Sequence, residues 1–306
     1  MSSLPILFDR DLLRAHRARA GKLGGSTFLL DRVAQEMLDR LATVRRRFER
    51  AVDLGTPTGA VGRALAATDK VTTLIAADPL AGTTARAQRG EADFIVAADE
   101  EALPFGDATL DLVVSAFALQ FVNDLPGTLI QVRRALKPDG LLLAALAGGD
   151  TLIELREAFA AAEAQIEGGI SPRVIPFADL RDLGMLLQRA EFGLPVTDVD
   201  RITVRYGSPL ALMHDLRRMA ATNPLIERSR RPLRRATLAR MTDIYVERFA
   251  ESDGRIRATF EIVWLSGWAP HESQQKPLAP GSARQRLSDA LGTQEISAGE
   301  KAGGSE

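Results

Sequence analysis

Five short apolar runs in the first half of the chain place the strongest constraint on its fold. They are AVDLG (51–55), VTTLIAADP (71–79), FIVAADE (94–100), LDLVVSAF (110–117) and LLLAALAGG (141–149). Each reads as a strand, and each is separated from the next by a segment that we interpret as a crossover connection. Apolar runs that are continuous, rather than alternating with polar residues, indicate parallel strands covered by helices on both faces.

The second half of the chain predicts helices and two further strands. Helices are expected over 151–167, 178–193, 208–222 and 232–250, and alternating strands over 196–206 and 256–268. Together with the five earlier runs, they predict an α/β fold. This fold is a doubly wound, mostly parallel seven-stranded sheet of Rossmann-like type, with an antiparallel last strand and a helical insertion.

Two local features complete the expected organisation of the core. Apolar residues at helical spacing predict an amphipathic helix over 31–50, and KPDG at 137–140 predicts a turn before the fifth strand. We divide the chain into an N-terminal segment 1–30, a domain 31–269 with its core at 48–150 and its insertion and C-terminal half at 151–269, and a tail 270–306. Pro, Gly, Ser and charged residues dominate the tail, so we expect most of 284–306 to be disordered.

Composition excludes several classes of protein. The net charge is −1 and the pI is near 6.4, so no field of one sign favours a nucleic acid, and membrane association is peripheral at most. Cysteine is absent, which removes disulfides, thiolate metal ligands and cysteine nucleophiles. No apolar stretch reaches the ~18 residues of a membrane span and no secretory signal is recognisable, so we expect a cytoplasmic protein.

Acidic residues follow three successive strands. Asp53 and Gly55 end the first strand and Gly59 begins the next helix, where free N–H groups favour an anionic group. Asp78 ends the second strand, where a carboxylate can accept both ribose hydroxyls, and Asp99 with Glu100 ends the third, where an adenine amino group could be bound. Because ligands of doubly wound sheets bind at these strand ends, the three acidic positions predict a nucleoside site.

The loop after the first strand narrows the choice of nucleoside. A dinucleotide site needs a second glycine where this chain has Pro57, and proline brings a ring and lacks an N–H group. The chain also lacks the G-x-x-x-x-G-K-[ST] loop that binds nucleoside triphosphates. An adenosine compound without phosphates fits better, and S-adenosyl-L-methionine is the cofactor that we expect.

The same motifs resemble the class I S-adenosylmethionine-dependent methyltransferases over about residues 48–150. The motifs are VDLGTPTG, AADP, ADEEALPF, LDLVVS and KPDGLLL. The resemblance implies that Asp53, Gly55 and Gly59 line the methionine portion of the cofactor, Asp78 the ribose, and Asp99 with Glu100 the adenine. TPT at 56–58 departs from that family, which usually has a central glycine there.

Motifs in the flanks are more specific. FDRDL (8–12), LQFVNDLP (119–126), GGDTLIELR (148–156), GGISPR (168–173) and GWAPHESQ (267–274) resemble the respiratory complex I assembly factors of methyltransferase fold, known in mitochondria as arginine hydroxylases. The resemblance implies modification of an arginine, by hydroxylation or methylation, on a peripheral-arm subunit of complex I. Two alternatives remain, namely a non-catalytic assembly chaperone and a small-molecule methyltransferase of biotin or quinone synthesis.

Four residues are candidates for binding the substrate. Gln120 lies in the LQFVNDLP motif, and Asp150 and Glu154 follow the fifth strand at one-turn spacing, where they could hold a guanidinium group. His271 lies in the loop beyond the last strand. No catalytic residue is assigned and no metal site is predicted, because the chain has only three histidines, widely separated.

Overall fold

The fold is described by a computed structural model over residues 6–79, 92–275, 289 and 292–294. The strands are β1 (Phe48–Leu54), β2 (Val71–Asp78), β3 (Phe94–Ala97), β4 (Leu110–Ala116), β5 (Leu136–Ala147), β6 (Gly193–Tyr206) and β7 (Ile256–Trp268). The α-helices in these residues are α1 (Arg10–Lys22), α2 (Phe28–Thr43), α3 (Ala60–Ala66), α4 (Leu125–Ala135), α5 (Ile153–Ile166), α6 (Leu180–Arg189), α7 (Pro209–Arg218) and α8 (Arg235–Phe249).

The strands form one seven-stranded sheet in the order β3-β2-β1-β4-β5-β7-β6. β1 pairs in parallel with both β2 and β4, and β5 extends the parallel part, whereas β7 runs antiparallel to β5 and β6. The predicted fold class is therefore confirmed. The strand order reverses between β1 and β4, which is where doubly wound sheets bind their ligands.

Helices cover the sheet on both faces. Neighbouring residues of β4 show this, because Val114 belongs to a core with residues of α2, α3, α5 and α8, whereas Val113 belongs to a second core with residues of α4 and α6. Successive side chains of a strand point to opposite faces, so a strand between two helix layers has to be apolar throughout. Every residue of β4 is buried accordingly.

Two local predictions were wrong. The helix expected over 31–50 ends at Thr43, and Phe48 already belongs to β1. The KPDG segment is not a turn before β5 but a bulge within it, since Leu110 pairs with Leu136 and Leu112 with Leu141. Buried Asp111 fixes this bulge by accepting a hydrogen bond from Lys137 Nζ at 3.0 Å.

One compact unit spans Met1–His271. A second unit, Glu272–Glu306, is described only at residues 272–275, 289 and 292–294, so the expected disorder over 284–306 falls mostly outside the described residues. The division at residues 30 and 269 stays a prediction. Within the described part of the chain, no helix combines the length and apolarity that a membrane crossing requires.

Thr56 connects the two strands at the point where their order reverses. Its fully buried Oγ1 accepts a hydrogen bond from the backbone N–H of Ala116, the last residue of β4, at 3.1 Å. Close by, Ser115 Oγ donates to the carbonyl of Leu54 at 2.7 Å. A threonine in the loop after β1 therefore has a structural role that a glycine could not fill.

We expect Thr56→Val to lower the free energy of unfolding by about 1–3 kcal/mol, because it leaves the buried N–H of Ala116 without its acceptor. Urea unfolding followed by circular dichroism measures the change. The matched control is Thr72→Val at an exposed position of β2, which should stay within about 0.5 kcal/mol of the parent protein. Equal stability of the two variants would contradict the role assigned to Thr56.

Candidate functional site

A cavity of about 840 Å³ lies beyond the carboxyl ends of β2, β4 and β5. Asp78, Phe117 and Ala147 line the cavity at those strand ends. Other parts of its wall are formed by residues of α1, α2 and α7, helices that lie outside the predicted core at 48–150. This volume lies within the range of roughly 300–1,000 Å³ that is usual for small-molecule sites. The position matches the reversal of strand order.

Backbone strain is concentrated around the cavity. Among the described residues other than glycine, eight have positive φ, and four of these line the cavity. They are Thr58 (φ 60°), Phe117 (φ 53°), Leu152 (φ 56°) and Ala220 (φ 59°). A left-handed conformation is costly for residues with a side chain and is concentrated at functional sites. The strain therefore supports the assignment of this cavity as the site.

Of the three acidic positions predicted at the strand ends, Asp78 lines the cavity directly. Its side chain belongs to a residue only 2% exposed, at the end of β2. Asp53 is fully buried and is not among the described lining residues. Its Oδ2 accepts a hydrogen bond from Gly62 N–H in α3 at 2.9 Å. Asp53 thus positions the loop that joins β1 to α3.

The predicted glycines shape that loop. Gly55 has φ +69° and Gly59 has φ +64°, so both adopt the left-handed conformation that glycine accepts at little cost. A side chain on Gly55 would also meet Ala118 and Glu100. Neither glycine is among the described lining residues. Close approach of Glu100 to the backbone at Gly55 thus requires glycine at this position.

Strand β3 ends at Ala97, so Asp99 and Glu100 follow the strand instead of ending it as predicted, and they contact α1, a helix that was not predicted from the sequence. Asp99 accepts hydrogen bonds from Arg10 at 2.9 Å and from Arg14 at 3.2 Å, and Glu100 accepts from Arg10 and, at 3.3 Å, from Arg17. Glu100 is completely buried. The three arginines belong to α1 and lie at spacing i, i+4 and i+7 on one face.

These contacts shift the ionisation of Asp99. Burial opposes its negative charge, but the Glu101 N–H and the guanidinium groups of Arg10 and Arg14 outweigh burial and lower the pKa of Asp99. Asp99 and Glu100 therefore hold α1 against the strand ends. Their expected contact with adenine stays a prediction, and neither is among the described residues that line the cavity.

A signal for α1 was present in the sequence. Asp9 caps the helix by accepting a hydrogen bond from Leu12 N–H at 3.0 Å, as an aspartate directly before a helix often does. Arginines at spacing i, i+4 and i+7 after such a cap indicate a charged helix face. Its acidic partners are about 90 residues away in sequence, so the contact itself was not predictable from local pattern.

The four substrate candidates occupy different surroundings. Gln120 lines the cavity, and its Oε1 accepts a hydrogen bond from Ala147 N–H at 3.0 Å. Glu154 is buried in bonds to the backbone and hydroxyl of Thr259, at 3.0 and 2.6 Å, and therefore holds α5 to β7 instead of facing the cavity. Asp150 pairs with Arg201, and His271 is exposed, and neither is among the described lining residues.

The charged residues of the cavity wall are mostly arginines, and carboxylates outside the wall pair with three of them. Among the described lining residues, Asp78 is the single carboxylate, whereas six are arginines: Arg17, Arg63, Arg173, Arg217, Arg218 and Arg228. Arg173 is paired with buried Glu163 at 2.6 Å and Arg228 with Asp9 at 3.3 Å. The remainder of the wall is largely apolar, with Phe159, Ile175 and Leu216 among its residues.

Comparison with known proteins agrees with this architecture. Residues 52–144 match the family model described as a methyltransferase domain. The chain is 37% identical over 289 residues to a protein of Danio rerio named arginine-hydroxylase NDUFAF5, mitochondrial. The match covers 92% of this chain and 89% of that protein. It is also 32% identical over 277 residues to the malonyl-[acyl-carrier protein] O-methyltransferase of Gallionella capsiferriformans, and this match covers 86% of this chain and 92% of that protein.

A solved structure shares the fold at low sequence identity. A candidate methyltransferase of Bacillus halodurans superimposes with a TM-score of 0.54 at 17% identity, and the match covers 78% of this chain and 99% of that one. The two relatives with higher identity match 92% and 86% of this chain. The chain therefore belongs to the methyltransferase-domain family that includes the arginine-hydroxylases named NDUFAF5.

Proposed function

We propose that the chain binds S-adenosyl-L-methionine in the cavity at the strand ends and modifies an arginine side chain of a protein during assembly of respiratory complex I. Binding of the cofactor is supported by the buried residue Asp78, which lines the cavity at the end of β2. The choice of an arginine as substrate is supported by the 37% sequence identity, over 92% of the chain, to a protein named arginine-hydroxylase.

The residues present fit an adenosine compound. Asp78 lines the cavity at the position from which a carboxylate accepts both ribose hydroxyls. Gly55 and Gly59 give the loop after β1 its two left-handed residues, and Asp53 holds the loop in place through Gly62. We propose this loop for the methionine portion of the cofactor. Asp99 and Glu100 are proposed for the adenine side.

The chemistry after binding depends on positioning. When bound, S-adenosyl-L-methionine supplies an activated methyl group, so a protein that uses it for transfer has mainly to orient the acceptor. Gln120 is fixed by its bond to Ala147 and lines the cavity, which makes it our candidate for orienting the acceptor. Methylation of an arginine takes the methyl group from the cofactor and releases S-adenosyl-L-homocysteine and a proton. Hydroxylation, the reaction in the name of the Danio rerio relative, needs an oxidant and electrons that S-adenosyl-L-methionine does not supply.

The partner that we propose is a peripheral-arm subunit of complex I, with no nucleic acid and at most peripheral contact with a membrane. The support is the flank motifs around residues 8–12, 148–156 and 267–274, together with the names of the relatives. The cytoplasmic location expected from the sequence stays a prediction, since the Danio rerio relative is named as mitochondrial.

The charge of the cavity favours a second candidate function. An arginine substrate would enter a cavity whose described wall has six arginines and one carboxylate. An acidic small molecule would find the complementary charge there. A small-molecule methyltransferase with a carboxylate-bearing substrate is therefore the alternative, and it accords with the identity to the malonyl-[acyl-carrier protein] O-methyltransferase.

We expect Asp78→Ala to weaken binding of S-adenosyl-L-methionine about 10- to 100-fold, because hydrogen bonds to a charged group contribute about 1.5–3 kcal/mol. Isothermal titration calorimetry measures the affinity. Asp69→Ala, at an exposed position paired with Arg47, removes the same charge and should leave the affinity unchanged. Absence of binding to the parent protein, or equal binding after Asp78→Ala, would overturn the proposed cofactor site.

Peptide mass spectrometry of complex I from a deletion strain tests the substrate. We expect one arginine of a peripheral-arm subunit to lose a modification in the deletion strain and to regain it when the parent gene is restored. An added oxygen and an added methylene group differ in mass, so the same measurement identifies the reaction.

Two further measurements on the deletion strain test the alternatives. Complex I assembly restored by an Asp53→Ala, Asp78→Ala double variant would favour a non-catalytic assembly chaperone. An intact complex I, together with a growth requirement for biotin or quinone, would favour the small-molecule methyltransferase.

A further inference from the structure

A strongly basic segment borders the cavity. Residues 217–235 contain seven arginines and a single acidic residue, Glu227, in a chain whose net charge is −1. Arg217 and Arg218, in the last turn of α7, line the cavity and are exposed, so they lie at its opening. Positive charge is therefore concentrated at the opening of the cavity, although the chain as a whole is nearly neutral.

Two further arginines extend this basic surface. Arg230 and Arg231 are exposed, and in the sequence they lie between Ser229 and Leu233, two residues that line the cavity. We call the two arginines of α7 and these two together the arginine rim: Arg217, Arg218, Arg230 and Arg231.

The charges of the arginine rim are not compensated inside the protein. In the part of the chain that the structure describes, none of the four forms an ion pair with an acidic residue, whereas the neighbouring Arg228 pairs with Asp9 at 3.3 Å. Arg218 is held by the backbone instead, because its Nη2 donates to the carbonyl of Gly24 at 2.8 Å. A carbonyl oxygen fixes the guanidinium group without neutralising its charge.

The loop between α7 and α8, which carries half of the arginine rim, is fixed to the N-terminal part of the chain. The N–H group of Ile226 donates to the carbonyl of Leu7 at 3.0 Å, and Leu225 is buried with Phe8 in a small apolar core. A backbone that is already ordered loses less conformational entropy when a partner binds. The backbone of the arginine rim is thus prepared for binding.

Charge complementarity selects a partner that carries several carboxylates. Exposed cations without an internal partner attract an acidic surface and steer it toward the cavity. Arginine suits carboxylates in particular, because its planar guanidinium group donates two parallel hydrogen bonds to them. An isolated arginine substrate would be repelled by the same surface. An arginine that arrives with acidic neighbours would be attracted to it.

We propose that the arginine rim binds acidic side chains in the protein segment that carries the arginine to be modified. This inference rests on the proposed function and adds a rule of substrate choice to it, namely that the target arginine lies among glutamates or aspartates. The rim holds these carboxylates at the opening, and the arginine side chain enters the cavity. The basic wall thereby becomes compatible with a basic target.

Two synthetic peptides test the proposal by fluorescence anisotropy on the full chain. Both have a central arginine, which is flanked by glutamates in the first and by glutamines in the second. We expect the double variant Arg230→Gln, Arg231→Gln to bind the glutamate peptide about 3- to 10-fold more weakly than the parent protein does, since each exposed ion pair contributes modestly. The control Arg181→Gln, Arg189→Gln removes the same charge from exposed positions of α6, on the other face of the sheet, and should keep the affinity within about twofold.

The pattern of affinities decides whether the arginine rim has this role. If the parent protein binds both peptides equally, or if the two double variants lose the same affinity, the proposal is wrong. If the parent protein binds neither peptide but sediments with phosphatidylserine vesicles, the rim faces a membrane and the proposal is likewise wrong. Arg230→Lys, Arg231→Lys keeps the charge and should retain most of the affinity for the glutamate peptide.

A third peptide separates this proposal from the proposed function on which it rests. It keeps the flanking glutamates and has a glutamine in place of the central arginine. Weaker binding of this peptide than of the glutamate peptide supports both proposals. Equal binding supports recognition of acidic residues by the rim and contradicts an arginine as the group that enters the cavity.

Discussion

The parallel pairing of β1 with both β2 and β4 is the constraint on which the site depends. Because these strands run in the same direction, their carboxyl ends meet at one edge of the sheet. The connections after β1 and β4 lead to α3 and α4, which pack on opposite faces. The cavity forms in the space between the diverging connections. Thr56 and Ser115 reinforce this point by hydrogen bonds between the loop after β1 and the end of β4. These bonds hold the loop after β1 to the end of β4 without a contribution from a ligand.

The sequence predicted the parts of the molecule that local pattern determines. Buried strands between two helix layers must be apolar along their whole length, so β4 could be recognised from LDLVVSAF. The acid at the end of β2 was found because the carboxyl end of a strand can be read from the chain itself. The residues at the strand ends could be placed at one edge of the sheet, but the directions of their side chains could not be predicted. Asp53 and Asp78 occupy equivalent positions in the sequence pattern, yet Asp53 bonds to Gly62 whereas Asp78 lines the cavity.

The rest depended on contacts between distant segments. Arg10, Arg14 and Arg17 on one face of α1 pair with acidic residues that closely follow β3 in the chain. No periodicity in the sequence encodes that pairing. Glu154 looked like a ligand for a guanidinium group, but the antiparallel strand β7 supplies Thr259 as its partner. The KPDG segment has the residues of a turn, and its bulge in β5 is set by Asp111 on the adjacent strand.

The N-terminal helix forms one wall of the cavity through Leu13, Arg17 and Ala20, and this couples two equilibria. A molecule that fills the cavity must touch the helix, so it binds the docked arrangement better than an arrangement in which the helix has detached. By linkage, such a molecule raises the population of the docked helix in proportion to its occupancy. Amide protons of residues 10–22 should then exchange with solvent more slowly as the cavity fills, and a fusion partner attached close to the first residues of the chain would perturb recognition at a distance from the sheet.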